Sequence, residues 1–263
     1  MDAQPDPPVG PPAPSPSAFE LPLQRLAPAD PLRWLARGWR DFLRCPGIGL
    51  FYGTCFAGMG WALLLVFRHA PAWTLALSAG FLLVGPFLCL GLYEASRVLE
   101  RGEHPDFGSS LLAWEHSIGT MAIFGGVLLI LEMLWGRASL IVFAVSFEGM
   151  PDFQGSIRQL LAAEHLEFLV AYVAVGSLFA GLIFAVSVVA IPMILDRQVD
   201  AITAALTSLR LVLTQPFVML CWGALITALV VLAMLPWFLG LLVVGPVLGH
   251  ASWHAYRTAV PAQ

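Results

Sequence analysis

Long apolar runs separated by short polar stretches dominate the chain from residue 47 onwards. Since about 20 apolar residues cross the hydrocarbon core of a bilayer, each run is long enough for one membrane-spanning helix. The last run has no charged residue, is interrupted near Pro236 and is long enough for two crossings. We therefore predict six spans, in residues 47–67, 72–93, 118–136, 168–195 and, twice, 211–256.

An amphipathic pattern precedes the first span. It begins at Asp30, a predicted N-cap with Pro31 in the first turn. Apolar residues and arginines then recur at helical spacing on two different faces, which is typical of a helix in the membrane interface against anionic headgroups. A soluble helix leading into the span is the alternative. The apolar face is Leu32, Leu35, Trp39 and Phe42, and the arginine face is Arg33, Arg37, Arg40 and Arg44.

Residues 1–29 are rich in proline and have little apolar periodicity, which predicts a disordered cytoplasmic tail. Without a basic region followed by an apolar one, the segment does not resemble a signal peptide. The predicted membrane domain is 30–257, and residues 258–263 form a second cytoplasmic tail. Whether the outer segment 138–167 is re-entrant or forms a lid is left open.

Composition agrees with a membrane protein. Hydrophobic residues make up 59% of the chain and charged residues 11%, whereas a globular domain carries about 25% charge. The net charge of −4 gives no support for a nucleic-acid partner. All 13 basic residues are arginine, which excludes chemistry that needs a lysine.

The arginines also predict an orientation. With the N-terminus in the cytoplasm, ten of the 13 arginines are cytoplasmic, and only Arg68, Arg137 and Arg158 are outside. The positive-inside rule therefore favours both termini in the cytoplasm.

An internal repeat organises the predicted spans. The unit is an amphipathic helix followed by a transmembrane hairpin, in residues 30–97, 106–195 (a degenerate copy) and 200–257. Because each unit crosses twice, all copies have the same polarity, unlike the inverted repeats of many transporters. The most informative matches are Asp30 with Asp200, Arg40 with Arg210, Pro46 with Pro216, and Gly85-Pro86 with Gly245-Pro246.

The run from Ile191 to Arg210, followed by Gln215-Pro216, has a distinctive order of Ile-Pro-Met, Asp-Arg, Asp, Ala and Thr-Ser. It resembles the bacterial membrane protein family called domain of unknown function 2189, over about residues 27–257. The resemblance implies a multi-span protein of the bacterial inner membrane with no agreed activity. Members are sometimes labelled as related to cytochrome c oxidase subunit one. This chain lacks the intramembrane histidines that would hold haem and copper.

A pair of histidines, His250 and His254, lies on one face of the last predicted span. The repeat alignment places Glu94 at the position of His254. These three residues are a candidate metal site at the cytoplasmic ends of the spans. The favoured alternative is a pair of interfacial hydrogen-bonding histidines, and we expect no cofactor; a metal or haem is the less favoured case.

Glu132 is the one acid well inside a predicted span, and Arg137 follows five residues later. Ionisable groups in a membrane are functional candidates, so Glu132 is a candidate ion or proton site. The favoured interpretation is structural: the predicted span ends about one turn later, and Glu132 pairs with Arg137 or a neighbouring helix.

Two further features allow alternatives. Asp196, Arg197 and Asp200 form a polar run. Together with the arginine face of the amphipathic helix, this run could bind lipid headgroups or a partner. The favoured interpretation is a capped connection between two spans. Glycines four residues apart could pack the bundle or a dimer. They are Gly49 with Gly53 and Gly245 with Gly249.

The fold class predicted is thus an all-α, six-helix membrane bundle of three parallel hairpin repeats. The absence of catalytic motifs favours a non-catalytic scaffold or accessory subunit of a larger, for example respiratory, membrane complex. The alternative is a small-solute or ion transporter or channel that uses Glu132 or the ring of His250, His254 and Glu94. A lipid-modifying or redox enzyme is the third hypothesis. The expected partners are the bilayer, anionic headgroups, and a membrane-protein complex or a second copy.

Overall fold

The computed structural model describes residues 18, 21–69, 74–146, 166–197 and 199–261. Most of the predicted tail and residues 147–165 of the outer segment lie outside these ranges. Within them the regular structure is helical, as predicted. The helices are α1 (Asp30–Arg44), α2 (Pro46–His69), α3 (Thr74–Glu100), α4 (Phe107–Leu111), α5 (Ile118–Ser146), α6 (Leu166–Ser187), α7 (Ala190–Arg197), α8 (Ala201–Thr214), α9 (Pro216–Met234) and α10 (Leu241–Ala259).

Among the described residues, four stretches are long and apolar enough to cross a membrane. They are α2, α5, α9 and the stretch Leu166–Arg197 that includes α6 and α7, and each overlaps a predicted span. Helices α3 and α10, of 27 and 19 residues, cover the two other predicted positions but are not among the four. In α10 the second half carries His250, His254 and Arg257, which lowers its hydropathy.

Helix α5 is longer than predicted. It continues past Gly136 to Ser146, so residues 138–146 extend the span and do not form a separate re-entrant piece. Its 29 residues would measure about 43 Å at 1.5 Å per residue, more than the ~30 Å hydrocarbon core. Glu132 consequently lies midway along α5 rather than near its end.

Helix α10 is the centre of the bundle and packs against α1, α2, α3, α7 and α9. Glycines permit these approaches, because a Cβ on Gly53 would collide with the Leu242 backbone and one on Gly249 with the Leu92 side chain. The glycine pairs therefore serve packing within the chain.

Helix α1 packs against α10 with a face that differs from the predicted one. Trp34, Asp41 and Phe42 are buried, whereas Leu32 and Trp39 are 64% and 46% exposed. The Trp34 ring meets Trp222 of α9 edge to face and donates a hydrogen bond to Thr258 of α10. Helix α1 is thus fixed to the bundle.

The end of the predicted disordered tail is ordered. Residues 21–29 lie against the α8–α9 junction and the end of α10. Leu21 is buried, its carbonyl accepts a hydrogen bond from Arg210, and Oε1 of Gln215 accepts one from the Leu26 N–H. Buried leucines and satisfied backbone groups explain why proline content alone placed the boundary too late.

The two regions matched by the repeat break at the same point. Cys45 and Gln215 each precede a proline and adopt φ, ψ of −132°, 59° and −133°, 54°. Because a residue before proline avoids the α conformation, each proline ends one helix and begins the next. Asp200 caps α8, as predicted, but Asp30 lies inside the first turn of α1 and accepts from the Ala27 N–H.

Candidate functional site

A buried polar cluster forms where α1, α3 and α10 meet. Asp41 of α1 accepts hydrogen bonds from Nε2 of His254 (2.7 Å) and from the hydroxyl of Ser96 (2.9 Å). The same hydroxyl lies 2.8 Å from Nδ1 of His250, whose Nε2 is 4.0 Å from Sγ of Cys45. We call these five residues the Asp41 network.

Four of the five residues in the network are buried, and hydrogen bonds join them. Asp41, Cys45, Ser96 and His250 are all buried. The Ser96 hydroxyl uses its proton in the hydrogen bond to Asp41. Its oxygen must therefore accept the hydrogen bond from His250, so Nδ1 of His250 carries a proton. These bonds compensate part of the cost of burying the polar groups and connect three helices.

The carboxylate of Asp41 is stabilised in its ionised form. Burial by itself would raise the Asp41 pKa, but the hydrogen bond and charge of His254, the hydrogen bond from Ser96 and the charge of His250 together lower it below its ordinary value. Asp41 therefore acts as an acceptor at neutral pH.

Cys45 is not an activated thiol. Burial, with a smaller effect of the Asp41 charge, raises the pKa of Cys45 to about 11. The thiol donates instead to the Asp41 carbonyl oxygen at 3.2 Å. A nucleophilic cysteine requires a lowered pKa, so the Cys45–His250 contact is not a catalytic pair.

The predicted metal residues do not all meet. His250 and His254 share the Asp41 network, whereas Glu94 forms an ion pair with Arg97 at 2.7 Å. Within the described ranges no three or more His, Cys, Asp or Glu side chains are arranged to hold a metal ion. The metal site stays a prediction.

Sequence reasoning missed Asp41 and Ser96. Trp34, Gly38 and Asp41 have the four- and three-residue spacing of one helix face, which could have predicted that Asp41 is buried with the tryptophan. Ser96 gave no comparable signal, because its role depends on how α3 packs against α1 and α10.

The Asp196–Arg197 run holds α7 to α10. The Tyr256 hydroxyl donates a hydrogen bond to Asp196 (2.7 Å). The oxygen of that hydroxyl accepts a hydrogen bond from Nε of Arg197 (2.9 Å). Arg257 bridges Asp196 and Glu100 of α3. Asp196 and Arg197 therefore bond within the chain, Asp196 in an ion pair with Arg257 and Arg197 by hydrogen bonds.

The arginine face of α1 is exposed. Arg33 pairs with Asp30 at 3.0 Å, and the structure shows no ion pair for Arg37, Arg40 or Arg44 within the ranges it describes. These three side chains are available to anionic headgroups. Their role as a lipid or partner surface stays a prediction.

Glu132 and Arg137 are not paired. Glu132 is 7% exposed and its Oε1 has no hydrogen-bond partner in the part of the chain that the structure describes, while Arg137, five residues on, is exposed. Side chains five apart on a helix point to different faces, which explains why Arg137 does not contact Glu132. For Oε1, a partner on a neighbouring helix, the other alternative, is not seen among the described residues either.

Two open cavities lie near α1. One, of about 290 Å³, is lined by Arg44, Cys45, His104 and Phe107. The other, of about 370 Å³, is an apolar groove between α1, α9 and α10 that includes Trp39 and Val247. Neither is lined by Glu132 or His250.

Residues 74–196 match the model of the family described as predicted integral membrane protein (DUF2189). The match confirms the resemblance but is narrower than predicted, running from α3 to Asp196 and leaving out Arg197 to Arg210. No curated protein and no solved structure matches the chain. The chain is thus an integral membrane protein with several apolar helices.

Proposed function

We propose that the protein is a non-catalytic scaffold or accessory subunit of a larger complex in the bacterial inner membrane. One observation carries the proposal: buried and half-buried polar side chains between α1, α3, α7 and α10 bond to each other. They hold helices together and line neither described cavity apart from Cys45. Such an arrangement supports a structural role for these side chains rather than a catalytic one.

The proposed protein crosses the membrane six times and has both termini in the cytoplasm. In addition to the four apolar stretches, α3 and α10 have the length for a crossing. The similar junctions at Cys45 and Gln215 support hairpin repeats of one polarity. The exposed arginines of α1 would then face anionic headgroups of the inner leaflet.

The outer face of α5 is the proposed partner surface. Gly119, Ala122 and Gly126 lie on one side of this helix, and a Cβ on either glycine would meet no atom within 4 Å. Small residues let a second transmembrane helix approach closely. The glycines around α10, such as Gly53, are already used inside the chain.

Affinity purification of the full chain from native membranes tests this role. We expect a membrane protein to co-purify in fixed stoichiometry, and Gly126→Leu to reduce its recovery several-fold. The matched control is Gly58→Leu in α2, another glycine with open space around it, which should retain the partner. Wild-type protein that purifies as a monomer without a partner would contradict the proposal.

A further inference from the structure

An unpaired carboxyl group lies at the middle of a membrane span. Glu132 is midway along α5, is 7% exposed, and has no hydrogen-bond partner for Oε1 among the described residues. An ionised carboxylate in hydrocarbon loses its hydration and must find a partner or become neutral. The hydrogen bonds to Asp41 compensate the cost of burying its charge, whereas the surroundings of Glu132 within the described ranges provide no such compensation.

The residue of α6 that lies opposite Glu132 is apolar. Trp135 lies next to Gly176 of α6, and the rings of Phe143 and Phe168 are 6.0 Å apart. The two contacts define an antiparallel register, and extending it by three residues from Trp135 places Phe179 opposite Glu132. Ser177, two residues before Phe179, is exposed, so the α6 side chain on the level of Glu132 that lies toward α5 is the apolar one.

The charged side chains on the helices that pack against α5 have other partners or lie at other levels. On α6, Tyr172 and Glu167 are near the end beside Phe143. On α3, α7 and α8 the charged side chains bond to α10, to a neighbour on the same helix or to the N-terminal segment. They are Glu94, Arg97, Glu100, Asp196, Arg197 and Arg210.

We propose that Glu132 is a proton-binding site inside the membrane, occupied as the neutral carboxylic acid. Metal cations need several oxygen ligands, and one carboxyl group does not supply them. A proton needs only that single oxygen, and binding it removes the buried charge. The inference is independent of the scaffold role, because it concerns one side chain inside the α5–α6 pair.

Labelling of the full chain in proteoliposomes with dicyclohexylcarbodiimide tests the proposal. This apolar reagent enters the bilayer and reacts with protonated carboxyl groups. The acid proton moves to a reagent nitrogen, the carboxyl oxygen bonds to the central carbon, and an acyl shift to nitrogen leaves a stable N-acylurea. We expect peptide mass spectrometry to find this adduct on Glu132 at neutral pH, with labelling that falls as the pH is raised.

Two controls separate this result from general reactivity. Glu132→Gln should lose the adduct, whereas Glu167→Gln, at the exposed start of α6, should keep it. A water-soluble carbodiimide should modify Glu167 and leave Glu132 unmodified in the wild type. If Glu132→Gln fails to fold, the two reagents on wild-type protein decide. No adduct on Glu132, or equal labelling of both residues by the water-soluble reagent, would overturn the proposal.

Discussion

The end of the bundle where α1, α3 and α10 meet differs from the α5–α6 pair in how it treats buried polar groups. At the first, Asp41 accepts from both Ser96 and His254, and backbones approach at glycines. At the second, within the described ranges, Oε1 of Glu132 has no hydrogen-bond partner and the outer glycines have open space. Burial alone thus does not identify a structural residue; the partners of the buried group do.

Packing gives the largest expected contrast. Gly53→Leu should cost more than about 3 kcal/mol of stability or prevent folding, because the new side chain meets the Leu242 backbone, which cannot move aside. Thermal unfolding in detergent measures the change. Gly126→Leu is the matched variant on α5 and should change stability by less than about 0.5 kcal/mol. Equal losses would show that the two regions are packed alike.

Removing Asp41 should destabilise the protein by about 3 kcal/mol, since His254 and Ser96 lose a buried partner. The same unfolding assay applies to Asp41→Ala. Asp106→Ala, an exposed cap of the short helix α4, is the control and should cost about 1 kcal/mol. If Asp41→Ala were as stable as this control, the Asp41 network would not be a major contribution to the stability of the fold.

Replacing Glu132 should have the opposite sign. Glu132→Leu removes an unpartnered buried oxygen and should raise stability by about 1 kcal/mol or more. The melting temperature in the same detergent, compared with that of the exposed-site variant Glu167→Leu, gives the measurement. A clear loss of stability would mean that Glu132 makes a contact that holds α5 in place.

The smallest expected effect is at the cap of α8. Asp200→Ala should cost about 1 kcal/mol. The side-chain and backbone hydrogen bonds from Thr203 lower the pKa of Asp200 in the folded protein. The ionised cap therefore stabilises the folded state fully above the unfolded-state pKa of about 3.9. This stabilisation is lost as the pH falls from that value through the lower folded-state pKa. Unfolding at pH 7 and near pH 3 should show the difference from wild type shrinking with acid. A difference that is constant with pH would rule out the ionised cap.

Apolar run length predicted much of the helical fold, since α2, α5, α9 and the α6–α7 stretch all overlap predicted spans. It failed where a run continued through a polar residue, as at Arg137 in α5. The site was harder to predict, because Asp41, Ser96 and His250 are far apart in the chain and meet only through packing. The position of Glu132 in an apolar run identified it as a candidate. That Oε1 lacks a partner among the described residues became clear only from the packing of the neighbouring helices.

Infrared spectroscopy of the protein in lipid at neutral pH tests the contrast between Asp41 and Glu132 most directly, because a protonated carboxyl group has its own carbonyl band, separate from that of carboxylates. We predict such a band in the wild type, its loss in Glu132→Gln, and its retention in Asp41→Asn. A band that persists in Glu132→Gln, or that disappears in Asp41→Asn, would contradict the account.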